Sequence, residues 1–386
     1  MIYPTFLLLF FSFLLFNNTA TGQNRNLNFR DLTPYGNSSS VKARLFHKAD
    51  SSFIIIECSD NNAAISAKVY EQYDYNKMLL DTFVNNNNIT KIDNQIHIFL
   101  PINADKKLWA VELQINGNNL QYYDILLANR AQDNEQSIFI LRNGNYHLQK
   151  YASVLDTFTL SERSATAKFF YLKYFPNTNT AANFVYITTK EYFNPLKGYS
   201  ELITVSANQK FKFNKQGLYF IQTDTNSNKG TFIIAQDADY PKIAKLDDLI
   251  APLQYIAKSE EYNTINKSSD KKAEVDKYWL ARSKNKEKAR AALKLYYQSI
   301  ANANFYFTVH KSGWQTDRGM VFVVFGTPDI VRKSANQEIW FYKGNNLRQP
   351  TELVFNRVGE LYTLERSRAY KDAWTTEINK WRNAKF

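Results

Sequence analysis

The chain has 386 residues, enough for two or three domains and a sizeable buried core, with 44% hydrophobic and 22% charged residues. That balance excludes a fibre or a disordered tail, and the single cysteine, Cys58, excludes a disulfide framework, a thiolate zinc site and an iron–sulfur cluster. The net charge of +12 is uneven: residues 1–241 hold 22 Lys and Arg against 20 Asp and Glu, whereas residues 242–386 hold 26 against 16. The basicity therefore belongs to the C-terminal part.

Phe6 to Phe16 read FLLLFFSFLLF, followed by Asn17, Asn18 and the small-residue run Thr19-Ala20-Thr21-Gly22. Such a run is too short to cross a bilayer core of ~30 Å and has the length of a signal-peptide core. Residues 1–22 are expected to be a signal peptide cleaved near Gly22, with Ala20 at the −3 position, although Met1 to Thr5 contains no Lys or Arg. Export to the periplasm or cell surface follows. No later segment approaches 18 consecutive apolar residues, so no transmembrane helix is expected in the mature chain. Cys58, preceded by Ile54, Ile55 and Ile56, reads as a small buried hydrophobe.

From Val41 to Ile140 the apolar residues alternate with period two between polar breaks. Ser52–Glu57, Ile65–Tyr73, Gln95–Leu100, Trp109–Ile115 and Tyr122–Ala128 are predicted strands, and Asn116-Gly117-Asn118 is a hairpin turn. A second series comprises Lys168–Tyr174, Phe184–Thr188, Glu201–Val205, Lys210–Phe213, Leu218–Thr223 and Thr231–Gln236. No period of 20–50 residues repeats, which favours two Ig-like β-sandwiches over a solenoid. The expected organisation is a first sandwich over 23–145, a second over 146–241 and a C-terminal α+β domain over 242–386.

Past Pro241 the period changes to three and four, predicting helices near 245–262, 270–282 and 286–306, the second capped by Asp270. Lys271, Lys272, Lys284, Lys286, Lys288, Arg290 and Lys294 occupy their solvent side. They form either a surface for phosphate or anionic lipid or a plainly solvated face, the interspersed Glu274, Asp276 and Glu287 favouring the latter.

Residues 310–329 read HKSGWQTDRGMVFVVFGTPD. Thr316 or Asp317 can cap a helix that Gly326 would end before a Thr327-Pro328-Asp329 turn. The β-branched stretch Val321–Phe325 argues for a strand instead, and nine residues are too few for periodicity to decide. Glu338–Tyr342, Thr351–Asn356 and Leu361–Glu365 are predicted to form an antiparallel three-stranded meander, closed by a helix near 368–383 with Tyr370, Trp374, Ile378 and Trp381 on one stripe.

Gly313-Trp314-Gln315-Thr316-Asp317, followed by Arg318-Gly319 and by Gly326-Thr327-Pro328-Asp329, resembles the naming motif of the GWxTD domain family. The resemblance extends to Tyr255-Ile256, Tyr278-Trp279, Ala303-Asn304, Trp340 and Tyr342, covering about residues 245–386. It implies an exported protein of a kind found in Bacteroidota and supplies no biochemical activity. A fainter likeness of pattern joins 316–365 to the small lipoprotein of the outer-membrane barrel-assembly machinery, and such an analogy carries no function.

The four histidines are scattered, and HExxH, GxSxG and the phosphate-cradling GxxxxGK[ST] are absent, so no metal and no cofactor is expected. The candidate interaction residues are Gly313, Trp314, Thr316, Asp317, Arg318, Gly319, Gly326, Pro328 and Asp329. Asp317 as a catalytic carboxylate would need a poised neighbouring base; as structure it needs only a cap and an ion pair. Trp314 reads as a ligand platform or, more simply, as a staple between Gly313 and the cap. Nucleic acid is a poor partner for an exported chain without a groove-reading motif. The favoured reading is a non-enzymatic envelope protein that docks on a partner protein or the outer-membrane surface. Its rival is a glycan-binding or glycan-processing hydrolase using Asp317.

Overall fold

Eight strands make the first sandwich: β1 (Val41–His47), β2 (Ser52–Cys58), β3 (Ala64–Asp74), β4 (Lys77–Phe83), β5 (Ile89–Ile92), β6 (Gln95–Leu100), β7 (Leu108–Asn116) and β8 (Gln121–Asn129). This comes from a computed structural model that describes residues 32, 34–35, 41–47, 52–60, 62–74, 77–84, 86–100, 108–118, 120–129, 138–162, 166–176, 180–187, 197–283, 285–334, 336–343 and 350–385. The expected signal peptide, residues 1–22, lies outside them. The strands form two antiparallel sheets, ordered β1-β2-β6-β5 and β4-β3-β7-β8. Period-two alternation explains the layering. Leu45, Ile54, Ile56 and Ile98 face Val69, Val111, Leu113 and Ile115 in one core, while Phe46, Phe53 and Ile55 point the other way.

The second sandwich contains β9 (Ile138–Arg142), β10 (Asn145–Tyr146), β11 (Tyr151–Ser153), β12 (Thr159–Glu162), β13 (Phe169–Phe175), β14 (Glu201–Ser206), β15 (Gly217–Gln222) and β16 (Thr231–Gln236). Its sheets run β10-β9-β12 and β11-β16-β15-β13-β14, with β11 parallel to β16. β9 pairs with β12, so Ile138–Arg142 is part of this sheet. Among the described residues, two expected strands, Phe184–Thr188 and Lys210–Phe213, are not formed. Residues 184–187 lie in a segment that leaves the sandwich and packs Ala182 and Val185 into the C-terminal core, and Phe211 makes only a single bridge to Phe158.

The C-terminal domain runs α1 (Leu246–Ile250), α2 (Ser259–Lys267), α3 (Lys271–Leu280), α4 (Lys286–Phe307), α5 (Asp317–Phe325), β17 (Ile330–Lys333), β18 (Gln337–Tyr342), β19 (Thr351–Val358), β20 (Leu361–Leu364) and α6 (Lys371–Arg382). The helix expected over 245–262 is broken by a 3-10 turn at Ala251–Tyr255 that carries Pro252 as its second residue, whose ring disfavours continuing the α-helix from the preceding turn. Asp270 caps α3 as expected, accepting from the Ala273 amide at 3.0 Å. The expected antiparallel meander is present as β18, β19 and β20, and β17, a four-residue strand too short to announce itself as an alternating run, pairs with β18 at its edge. Val321–Phe325 is helical. Met320, Val321, Phe322, Val323 and Val324 are all buried, and a helix apolar on every side belongs at the centre of a domain, where packing outweighs the strand preference of valine.

Each module touches both others. Phe46 and Phe53 of the first sandwich pack on Phe139 and Tyr146 of the second. Leu218, Phe220, Phe232 and Ile234 of the second share a cluster with Val309 and Leu361 of the C-terminal domain. Tyr70, Ala110 and Ile125 of the first join the main C-terminal core. Aromatic rings of 150–250 Å² each make such contacts stabilising beyond what isolated aliphatic contacts provide.

Candidate functional site

The motif begins as a 3-10 turn, Gly313–Gln315, laid against the side of α4. A Cβ on Gly313 would lie 2.0 Å from the Ala303 carbonyl oxygen, so only glycine allows this approach. The Gly313 amide donates to Thr308 Oγ1 at 3.0 Å, and the Trp314 amide to Asn304 Oδ1 at 3.1 Å. Asn304 is fully buried and its Nδ2 donates to the Pro241 carbonyl at 2.9 Å, so one side chain ties the motif to the strand-to-helix junction. The Trp314 ring meets Tyr255 edge-on at 5.9 Å, and the Tyr255 hydroxyl donates to the Trp314 carbonyl.

Thr316, rather than Asp317, is the N-cap of α5. Its Oγ1 accepts from the Gly319 amide at 3.1 Å and donates to the Gly313 carbonyl at 2.7 Å. Gly319 in the first turn sits on the same carbonyl: a Cβ there would be 1.8 Å from the Gly313 oxygen. Asp317 is the first helical residue, where the dipole favours an anion, and both its oxygens are taken. Arg366 donates to Oδ2 at 3.0 Å and Oδ1 at 2.5 Å, and the Leu364 amide donates to Oδ2 at 2.7 Å. Arg366 also reaches the Asn183 carbonyl at 3.1 Å, and Ala182 donates to the Gln315 carbonyl at 2.9 Å. These contacts explain why the 180–187 segment leaves its sandwich.

Arg318 points to the opposite side, into a buried polar cluster. Its Nη1 pairs with Glu338 Oε2 at 3.1 Å, and its guanidinium lies 3.6 Å from the Tyr362 ring centroid. Glu338 Oε1 accepts from the Tyr35 hydroxyl at 2.6 Å and from Trp340 Nε1 at 2.7 Å. Burial would raise the Glu338 carboxyl, but the charges of Arg318 and Lys333 and the bonds from Tyr35 and Trp340 outweigh it and hold it below the usual carboxylate range. Lys333 in turn pairs with Asp124 of β8 at 2.5 Å, carrying the cluster into the first sandwich.

The remaining motif residues end α5 and turn the chain. Gly326 has φ +81° and its carbonyl accepts from the Tyr342 hydroxyl at 3.0 Å. Pro328 is buried, and Asp329 is exposed, its Oδ2 accepting from the Lys343 amide at 2.6 Å. The nine residues singled out from the sequence thus divide into a helix cap, two ion pairs, two glycine contacts, the packing of Trp314 on Tyr255 and a turn. Their decisive partners, Arg366, Glu338 and Tyr35, carry no signal of their own in the sequence beyond being charged or aromatic.

One face of the motif forms the floor of a cleft, with Ser312 half-buried and Trp314, Gln315 and Asn304 buried beneath it. These four residues line this cleft of about 480 Å³ between the second sandwich and the α1 region, with Tyr240, Tyr262, Gln254 and three carboxylates, Asp237, Asp239 and Asp248, around it. Burial raises the Asp248 carboxyl, and the neighbouring charge of Lys245 opposes this. A cavity at a junction of modules is where ligands and partners commonly bind. Among the described residues, no group of three His, Cys, Asp or Glu is placed to hold a metal ion, and no helix is long and apolar enough to cross a membrane.

Residues 217–383 match the GWxTD domain family. The match starts inside the second sandwich, at β15, and so takes in both walls of this cleft. No curated protein matches the chain.

Proposed function

This chain belongs to the GWxTD domain-containing family through residues 217–383, and on that premise we propose that it is a non-enzymatic exported envelope protein, a protein-interaction or scaffolding body at the periplasm or outer membrane. The observation that carries the reading is the use of the motif's reactive groups. Asp317 spends both oxygens on Arg366 and the Leu364 amide, and the largely buried Arg318 is paired with Glu338 through Nη1, so both motif charges are engaged in structural pairs. A hydrolase using Asp317 would need that carboxylate open to a reacting atom.

What remains accessible is the cleft above the buried Trp314 and Gln315, walled by Tyr240, Gln254 and Tyr262, and this is where a partner would dock. A photo-crosslinking residue at Gln254, on the cleft, is expected to give one discrete adduct in envelope fractions of the native host. The same probe at Gln298, on the exposed side of α4, should give none. Recovery of the chain outside the envelope, or equal adducts from both positions, would count against the proposal.

A further inference from the structure

A second cavity, of about 550 Å³, opens where the two sandwiches meet, walled by the β9–β10 hairpin, the 147–156 segment and residues from the first sandwich. Its charges are spent on each other. Lys42 pairs with Glu57 at 2.8 Å and Arg142 with Asp156 at 2.8 Å, while Asp237 is held by Lys245. A charged ligand would have to break one of these pairs to be recognised.

The uncharged polar groups are the opposite case. Asn94, Asn143, Asn145 and Gln149 line the cavity, and among the described residues their side-chain amides make no hydrogen bond within the protein. Tyr146 and Tyr151 also line it, and their hydroxyls have no protein partner among those residues. Each amide offers two donors and an acceptor, and each hydroxyl offers both roles. Burial raises both tyrosines, so the hydroxyls keep their protons at neutral pH.

The wall behind these groups is braced. The Tyr151 ring meets Tyr240 edge-on at 4.7 Å, and the Tyr146 ring packs on Phe46, Phe53 and Phe139. His147, pushed down to about 4 mainly by burial, is neutral at pH 7 and bonds the Tyr151 carbonyl through Nε2 at 2.7 Å. The Asn143-Gly144 turn, with φ of 53° and 85°, fixes one rim as a two-residue hairpin. Unspent amides beside braced tyrosine rings match a ligand that is rich in hydroxyls and carries no charge.

We propose that this cavity binds a neutral oligosaccharide, its hydroxyls taken by Asn94, Asn143, Asn145 and Gln149 and its rings resting beside Tyr146 and Tyr151. The site goes beyond the partner docking proposed for the cleft at Trp314 and stands independently of it. The test is an array of neutral, acidic and peptide probes on the full exported chain, followed by calorimetric titration of the best neutral trisaccharide.

Asn145→Ala and Gln149→Ala are expected to weaken that binding by about tenfold each, the loss of one to two hydrogen bonds, with the melting temperature unchanged because neither amide is used by the fold. Cross-linking from Gln254 should survive in both variants. Binding of acidic sugars or peptides alone, no binding of any neutral sugar at millimolar concentration, or wild-type affinity in both variants would overturn the proposal.

Discussion

Arg366 clasps both oxygens of Asp317 across 49 positions of chain, joining the first turn of α5 to the end of the meander. Both side chains are almost fully buried, so the pair is a structural joint. Asp317→Asn leaves the Arg366 guanidinium buried with half its partner removed. Breaking a buried pair in this way costs about 3–5 kcal/mol, whereas replacing both members by apolar residues costs less. Thermal unfolding is expected to show a drop of several degrees for Asp317→Asn that Asp317→Leu combined with Arg366→Leu partly recovers. An unchanged melting temperature for the single variant would contradict the joint.

The two glycines of α5 should fail for different reasons. Gly319→Ala puts a methyl group 1.8 Å from a backbone carbonyl oxygen, and neither the 3-10 turn nor α4 behind it has room to retreat. Overpacking there is expected to cost at least about 3 kcal/mol and to abolish soluble yield. Gly326→Ala meets no atom within 4 Å, but its φ of 81° and ψ of −160° suit glycine alone, at a cost of about 1–3 kcal/mol. Circular dichroism should find this second variant folded and melting earlier.

Acid should loosen the molecule in two stages. Burial pushes His147 down to about 4 and, with Lys311 beside it, His310 down to about 3. The unfolded chain protonates both near 6.5, so their contribution is complete above that pH and declines as the pH falls toward the folded values, by up to about 1.4 kcal/mol per unit for each histidine. Glu338, held low by Arg318 and Lys333 against its burial, contributes above the ordinary carboxylate range and loses that contribution only below it. Melting temperatures from pH 8 to pH 3 should therefore decline from about 6.5 downward, and His147→Gln should flatten the first stage. A level profile between pH 7 and pH 5 would refute this.

Glu360, at the tip of the β19–β20 hairpin, pairs with Arg44 of the first sandwich at 3.2 Å and with Lys150 of the second. Burial would raise this carboxyl, but Lys150 and Arg44 together hold it low. One residue of the C-terminal domain thereby touches both other modules. Glu360→Gln leaves two largely buried cations without a counter-charge; calorimetry is expected to show one transition for the wild type and at least two for the variant, with faster proteolysis between modules. A single unshifted transition would show that the aromatic interfaces suffice.

Much of this was legible before any coordinates. Period-two runs located most strands, the change of period past Pro241 located the helices, and Asp270 announced its cap, because each of these signals lies within a few residues of what it specifies. The motif could be picked out from Gly313 to Asp329, yet the choice between Thr316 and Asp317 as cap, and between helix and strand for Val321–Phe325, depended on what surrounds them. Phe184–Thr188 looked like a strand, but residues 184–187 follow Ala182 and Asn183, which are drawn to Gln315 and Arg366.

By itself the sequence determined the module order, the period of each element, the uneven charge and the position of the motif. The tertiary structure alone decided that Asp317 belongs to Arg366, that Arg318 belongs to Glu338 and Tyr35, and that Lys333 reaches Asp124 across 209 positions. The physical reason is range: propensity, capping and alternation act over a turn or two of backbone, whereas a buried charge is settled by whichever opposite charge the folded core brings within reach.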